Sequence, residues 1–137
     1  VNMVKVILGL KGSGKHKQLL ALIHKAAQDD KCAVCIEKEP KLRYNIPTKV
    51  RHVCTSEYGE KGIGFLKGLI CGLHAGNYDI NEIFVDGLFK IVDGSDTNAV
   101  DELLTWLDKF GAQENINFTL TLSIDASEAT EVMKRYA

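Results

Sequence analysis

A single stretch, Gly9-Leu10-Lys11-Gly12-Ser13-Gly14-Lys15, limits what this chain can fold into more than any other. It lies between a short apolar run, Val4 to Leu8, and a segment in which Leu19, Leu20, Ile23, Ala26 and Ala27 recur at helical spacing as far as Gln28. The order is strand, glycine loop, helix. The loop satisfies G-x-x-x-x-G-K, in which glycines let the backbone turn tightly so that successive N–H groups point inward. The helix N-terminus adds partial positive charge, and Lys15 supplies a full charge for terminal phosphates. Gly9, Lys11, Gly12, Ser13, Gly14, Lys15, His16 and Lys17 are therefore the candidate nucleotide-binding residues. The bland alternative is a strand-helix turn that binds nothing, but such a turn requires neither the lysine nor three glycines.

Elements alternate in type along the rest of the chain, without repeats or linkers, so one domain over 1–137 is expected. Ala33 to Ile36 reads as a buried strand, followed by a charged loop from Glu37 to Tyr44 that continues through Pro47. Val50 to Cys54 is a weaker strand. From Gly62 to Gly76, Ile63, Leu66, Leu69, Ile70 and Leu73 mark a helix in spite of glycines at 64, 68, 72 and 76. Each internal glycine costs roughly 1 kcal/mol relative to alanine, so this stripe is expected to press against the sheet or a neighbouring helix. Ile83-Phe84-Val85-Asp86 is a fourth strand ending in a carboxylate. Asn98 to Phe110 reads as a helix capped by Asn98 and stopped by Gly111. Phe118, Leu120, Leu122 and Ile124 alternate with polar residues as a fifth strand, and Asp125 with Glu128 reads as a capping pair that opens a short last helix. Strands alternating with helices predict an α/β fold, its sheet mostly parallel and covered on both faces.

Charge narrows the partners. Lys and Arg number 17 against 18 for Asp and Glu, a net charge of -1, so no global positive field draws the chain to nucleic acid, which is not expected as a partner. Only Arg43, Arg51 and Arg135 could make the two-pronged contact that clamps a transferring phosphate. The four cysteines, at 32, 35, 54 and 71, lack zinc-like spacing and read as buried or half-buried free thiols of a reducing cytoplasm. The longest apolar stretch, 62 to 73, is about half a membrane span and carries Lys67, so no membrane span is expected. No signal peptide is visible, because the apolar N-terminal run is broken by Lys5, and whether Val1-Asn2 are native is left open.

Two further residues bear on a metal. His16 stands where the loop pattern has Ser or Thr to offer Mg²⁺ a hydroxyl, and imidazole suits softer metals better. Magnesium coordination at that position is therefore in question. Asp86 ends an apolar strand in the form that holds magnesium through water, and it is the candidate metal residue. Gly87 follows it where many ATPases carry a catalytic glutamate, so a base to activate water must come from elsewhere; Glu37 and Glu39 could reach the same edge.

The segments GLKGSGKH, AVCIEKE, VRHVC, IFVDG and TLTLSID, in that order, resemble the Walker A loop, second strand, further strand, Walker B strand and sensor strand of RecA-like P-loop NTPases, over nearly the whole chain. The resemblance implies a three-layer fold with five strands in the order 3-2-4-5-1. It also implies that Lys15 is the phosphate lysine, Asp86 the magnesium aspartate, Glu37 or Glu39 the water-activating glutamate and Ser123 the sensor. IEKEPKLRY resembles the loop after the second strand of thymidine-kinase-like P-loop proteins, which would bring Lys38 and Arg43 near the nucleotide. The whole chain looks like a group of small bacterial ATP-binding proteins sometimes labelled twitching-motility ATPases, although it has neither the sensing domain nor the hexamer-forming motifs of a motility ATPase.

The expected function is binding of ATP, or GTP, with slow or partner-dependent hydrolysis. A nucleotide sensor or assembly subunit that does not hydrolyse is the alternative, with an unidentified protein partner, and it is favoured by His16 and Gly87. A small-molecule kinase ranks third, since three scattered arginines make a poor lid. Self-association through the glycine stripe or the last strand is open beside internal packing.

Overall fold

The architecture is that of a computed structural model covering residues 1–137. Five strands, β1 (Val4–Leu8), β2 (Ala33–Glu37), β3 (Arg51–Cys54), β4 (Glu82–Asp86) and β5 (Asn117–Leu122), form one sheet in the order β1-β5-β4-β2-β3. Every neighbouring pair is parallel, a stricter arrangement than the mostly parallel sheet expected. Read from the other edge, the order is 3-2-4-5-1.

The helices are α1 (Lys15–Gln28), α2 (Ile63–Gly76), α3 (Leu88–Ile91), α4 (Thr97–Glu114) and α5 (Glu131–Tyr136). The two sheet faces are covered unequally, as the alternation of strand side chains shows. Ile7, Ala33, Cys35 and Phe84 point to one face and meet Leu19, Ile23, Ala26 and Ala27 of α1. Val6, Val34, Ile36, Ile83, Val85, Leu120 and Leu122 point to the other, where α2, α3, α4 and α5 supply Leu66, Ile70, Leu88, Leu103, Leu107 and Met133. The larger core has 24 buried residues and the smaller 10; α1 is the one helix on its face, joined there by Leu42 and Val50 of the β2–β3 connection. At the N-terminal end of the strands an open cavity of about 290 Å³ remains beside α1, between Lys5, Leu22, Phe84 and Thr119. No helix is long and apolar enough to cross a membrane.

Five expectations are corrected. The glycines of α2 do not press against anything: a Cβ at 64, 68, 72 or 76 would meet no atom within 4 Å. Leu66 and Ile70 are fully buried, and Gly68 and Gly72 lie two positions on, about 200° round the helix, which turns them to solvent. We expect Gly68→Ala and Gly72→Ala each to stabilise the fold by about 0.5–1 kcal/mol. Denaturant unfolding checks this, and destabilisation by either change would contradict an exposed stripe.

The fourth helix begins at Thr97, with the Asp96 side chain accepting from the Ala99 N–H at 3.1 Å, and not at Asn98. It also continues past Gly111, which is buried and pressed against the Ile116 carbonyl and Met3, where a Cβ would not fit. Close approach, not helix termination, is why glycine stands there. Asp125 caps only a three-residue 3-10 turn, Ala126–Glu128, by accepting from Ser127 N–H, while Thr130 caps α5 through Met133 N–H at 3.1 Å. All four cysteines are free, but Cys71 is exposed on the glycine side of α2, so it is not a buried or half-buried thiol. Burial, and then the neighbouring carboxylates Glu37 and Asp86, push the Cys35 thiol far up.

Candidate functional site

The C-terminal ends of the strands carry the candidate residues, as parallel α/β sheets favour. Between β1 and α1 the chain makes the tight loop expected, with Gly12 and Gly14 both at φ 88°, a left-handed backbone that suits glycine. Gly9 is in contact with Ser13, and a Cβ there would strike its hydroxyl. Ser13 N–H closes on the Leu10 carbonyl at 3.1 Å. The backbone amides of Gly12, Gly14, Lys15 and His16 bond to no group of the protein, and α1 has no side-chain cap. Four free donors at a helix N-terminus form an anion cradle.

Lys15 is only 5 % exposed, and its Nζ donates to the Leu10 carbonyl at 3.0 Å, folded back across the loop it would serve. Lys11, Ser13 and Lys17 are exposed at the rim.

The strand carboxylates meet at one edge. Glu37 and Asp86 are paired neighbours on β2 and β4, and so point to the same face, that of α1. Asp86 is 3 % exposed. Its Oδ1 accepts from the Thr121 hydroxyl at 2.8 Å, and the same hydroxyl accepts from Gly87 N–H at 2.7 Å. Its Oδ2 lies 2.6 Å from His16 Nδ1. Nδ1 therefore donates, from a ring that is about half exposed. The ring ties the Gly9–Lys15 loop to β4.

Glu37 is 2 % exposed and holds structure together: Oε2 accepts from Leu42 N–H at 2.9 Å and lies 2.6 Å from His52 Nε2. Arg43 continues the chain of contacts, with Nε 3.4 Å from His52 Nδ1 and a guanidinium nitrogen 2.7 Å from Glu57. One His52 tautomer, with its proton on Nε2, satisfies both neighbours. Arg43 is thus engaged with Glu57 and His52, and its guanidinium is held above the usual arginine range by the Glu57 hydrogen bond.

Glu39 lies two residues beyond β2, exposed and without a side-chain partner, so Glu37 and not Glu39 is the neighbour of Asp86. Ser123 is one residue past β5 and exposed, whereas Thr121, two residues earlier, is the β5 hydroxyl on Asp86. No three His, Cys, Asp or Glu side chains gather as a metal cage.

Three residues of this edge escape sequence reading. Thr121 and His52 gain their places only from strand adjacency. Lys90, on α3, reaches back so that its stem lies against Gly87. Its ammonium is pushed below the usual lysine range, first by contact with Lys41, then by burial, with Lys11 adding repulsion and Asp86 opposing it. Lys11, Lys41 and Lys90 come from three separate segments, and none has a carboxylate within 4.0 Å. Crowded, unneutralised ammonium groups next to free amides are what an anionic ligand would relieve.

The Thr121 bridge has a measurable weight. We expect Thr121→Val, nearly equal in volume, to destabilise the fold by about 2–3 kcal/mol, because it strands both a buried carboxylate oxygen and the Gly87 N–H. Chemical denaturation reads this directly, and a loss below about 0.5 kcal/mol would mean that the bridge carries little.

No family model and no curated protein matches the chain.

Proposed function

We propose that this chain binds the triphosphate of ATP or GTP in the Gly9–Lys15 loop, as a P-loop NTPase with a RecA-like core, and hydrolyses it slowly or only with a partner. One observation carries this reading: four unbonded amides and the buried Lys15 converge at the N-terminus of α1, on the same sheet edge as Asp86 and Glu37. Ser123 would act as the sensor only if it moved inward; Thr121 is already in that position relative to Asp86. Four free thiols suit a reducing cytoplasm as the place of action.

Magnesium fits these residues poorly. Both oxygens of Asp86 are taken, one by Thr121 and the other by His16, and an imidazole stands where a hydroxyl would face the ion. No step is therefore assigned to it.

That same pair favours the second reading, a nucleotide sensor or assembly subunit. A loop that binds a nucleotide and is tied by His16 to β4 can pass occupancy to the 37–47 loop, which Glu37 anchors at its start. The two readings part on one experiment, in which ATP affinity is measured with and without Mg²⁺ and phosphate release is followed over hours. Release that is lost in Lys15→Ala supports the NTPase. Tight binding without release supports the sensor.

A further inference from the structure

Beyond Lys90, away from the phosphate loop, the same sheet edge opens into a cleft of about 310 Å³ over the ends of β2 and β3. No hydrophobic side chain lines it: its walls are Lys38, Thr55, Ser56, Glu60, Lys61 and Lys90 with Gly59. A second hollow of about 430 Å³ shares Lys38, Lys61 and Lys90 and reaches Gly62 at the start of α2.

The walls are fixed while the charges are free. The Lys38 carbonyl accepts from Ser56 N–H at 3.2 Å and from the Cys54 thiol at 3.0 Å, and Gly62 N–H donates to the Ile91 carbonyl at 2.7 Å. None of the three lysines has a carboxylate within 4.0 Å, so Glu60 does not neutralise them. Thr55, 2 % exposed, lines the cleft. The first turn of α2, a helix of 14 residues, has no side-chain cap and no acidic residue. Three ammonium groups and the Thr55 side chain make a polar hole for a compact anion.

We propose that this cleft binds a second ligand, a small molecule bearing a phosphate group or phosphate itself, held by Lys38, Lys61, Lys90 and the Thr55 hydroxyl. Its place beside a nucleotide rests on the function proposed above; its existence as an anion site does not. Lys90, between the cleft and Asp86, is the residue the two sites would share.

The probe is inorganic phosphate, titrated into the intact protein and into Lys15→Ala while backbone amide resonances are followed. The expected result is saturable shifts at Thr55, Lys61 and Ile63 that persist in Lys15→Ala and in the presence of ATP. Lys61→Glu, at an exposed position, is expected to weaken that binding at least about tenfold while ATP affinity stays within about twofold. Loss of the shifts in Lys15→Ala would assign phosphate to the Gly9–Lys15 loop and overturn the proposal. So would an unchanged affinity in Lys61→Glu, or shifts that only a single-stranded oligonucleotide produces. If the parent binds phosphate at these amides but no ATP, the nucleotide reading fails and the second site stands.

Discussion

Lys15→Ala is expected to weaken ATP binding by roughly 100-fold or more, the largest single effect foreseen for this chain. The side chain is the one buried ammonium of the Gly9–Lys15 loop, and it has only the Leu10 carbonyl at 3.0 Å to satisfy it. A triphosphate would replace that neutral acceptor with charged oxygens, contacts worth about 1.5–3 kcal/mol each. The alanine also removes a buried stem that packs beside Gly9, so a companion, Lys15→Met, separates charge from volume. Both variants should lose affinity alike. If Lys15→Met retains parental affinity, the ammonium is not a phosphate ligand.

His16→Thr is expected to change metal dependence more than affinity. In the parent, the imidazole holds Asp86 Oδ2 at 2.6 Å, and ATP affinity should differ by less than about twofold with and without Mg²⁺. A threonine would release that oxygen and present a hydroxyl in the ring's place. The ratio of affinities with and without Mg²⁺ should then rise to about tenfold or more, with faster phosphate release alongside. Calorimetric titration of both proteins under the two conditions gives the ratio. A parent already strongly dependent on Mg²⁺ would show that the His16–Asp86 contact opens at no great cost.

Local chemistry made the strand-loop-helix unit legible. Val4 to Leu8, the glycines and the apolar spacing up to Gln28 each depend on residues close in sequence, and β1 and α1 fall where those signals end. Asp86 was equally legible, because an apolar strand closing on a carboxylate is a local pattern. The partners of these residues were not. Thr121 and His16 meet Asp86 across 35 and 70 residues of chain, and His52 meets Glu37 across 15, through a sheet order that one sequence expresses only weakly.

The glycine stripe is a different lesson. Leu66 and Ile70 already stated which face of α2 is buried, and a count of helix angle from them turns Gly68 and Gly72 outward. The inference of packing came from the cost of glycine alone. Lys90 carried no signal at all, since a lysine two residues into a four-residue helix is ordinary until the turn at Gly87 folds it back beside Asp86. The scarcity of arginine likewise takes on another sense: the cations at this edge are lysines, point charges suited to a bound phosphate more than to a planar clamp on a transferring one.

The central claim is that the loop at 9–15 holds a triphosphate, and equilibrium titration of ATP into the unmodified protein tests it most directly. Saturable binding at micromolar concentration, lost in Lys15→Ala and competed by tripolyphosphate but not by adenosine, is the predicted result. Absence of binding at millimolar ATP, or competition by adenosine alone, would contradict it.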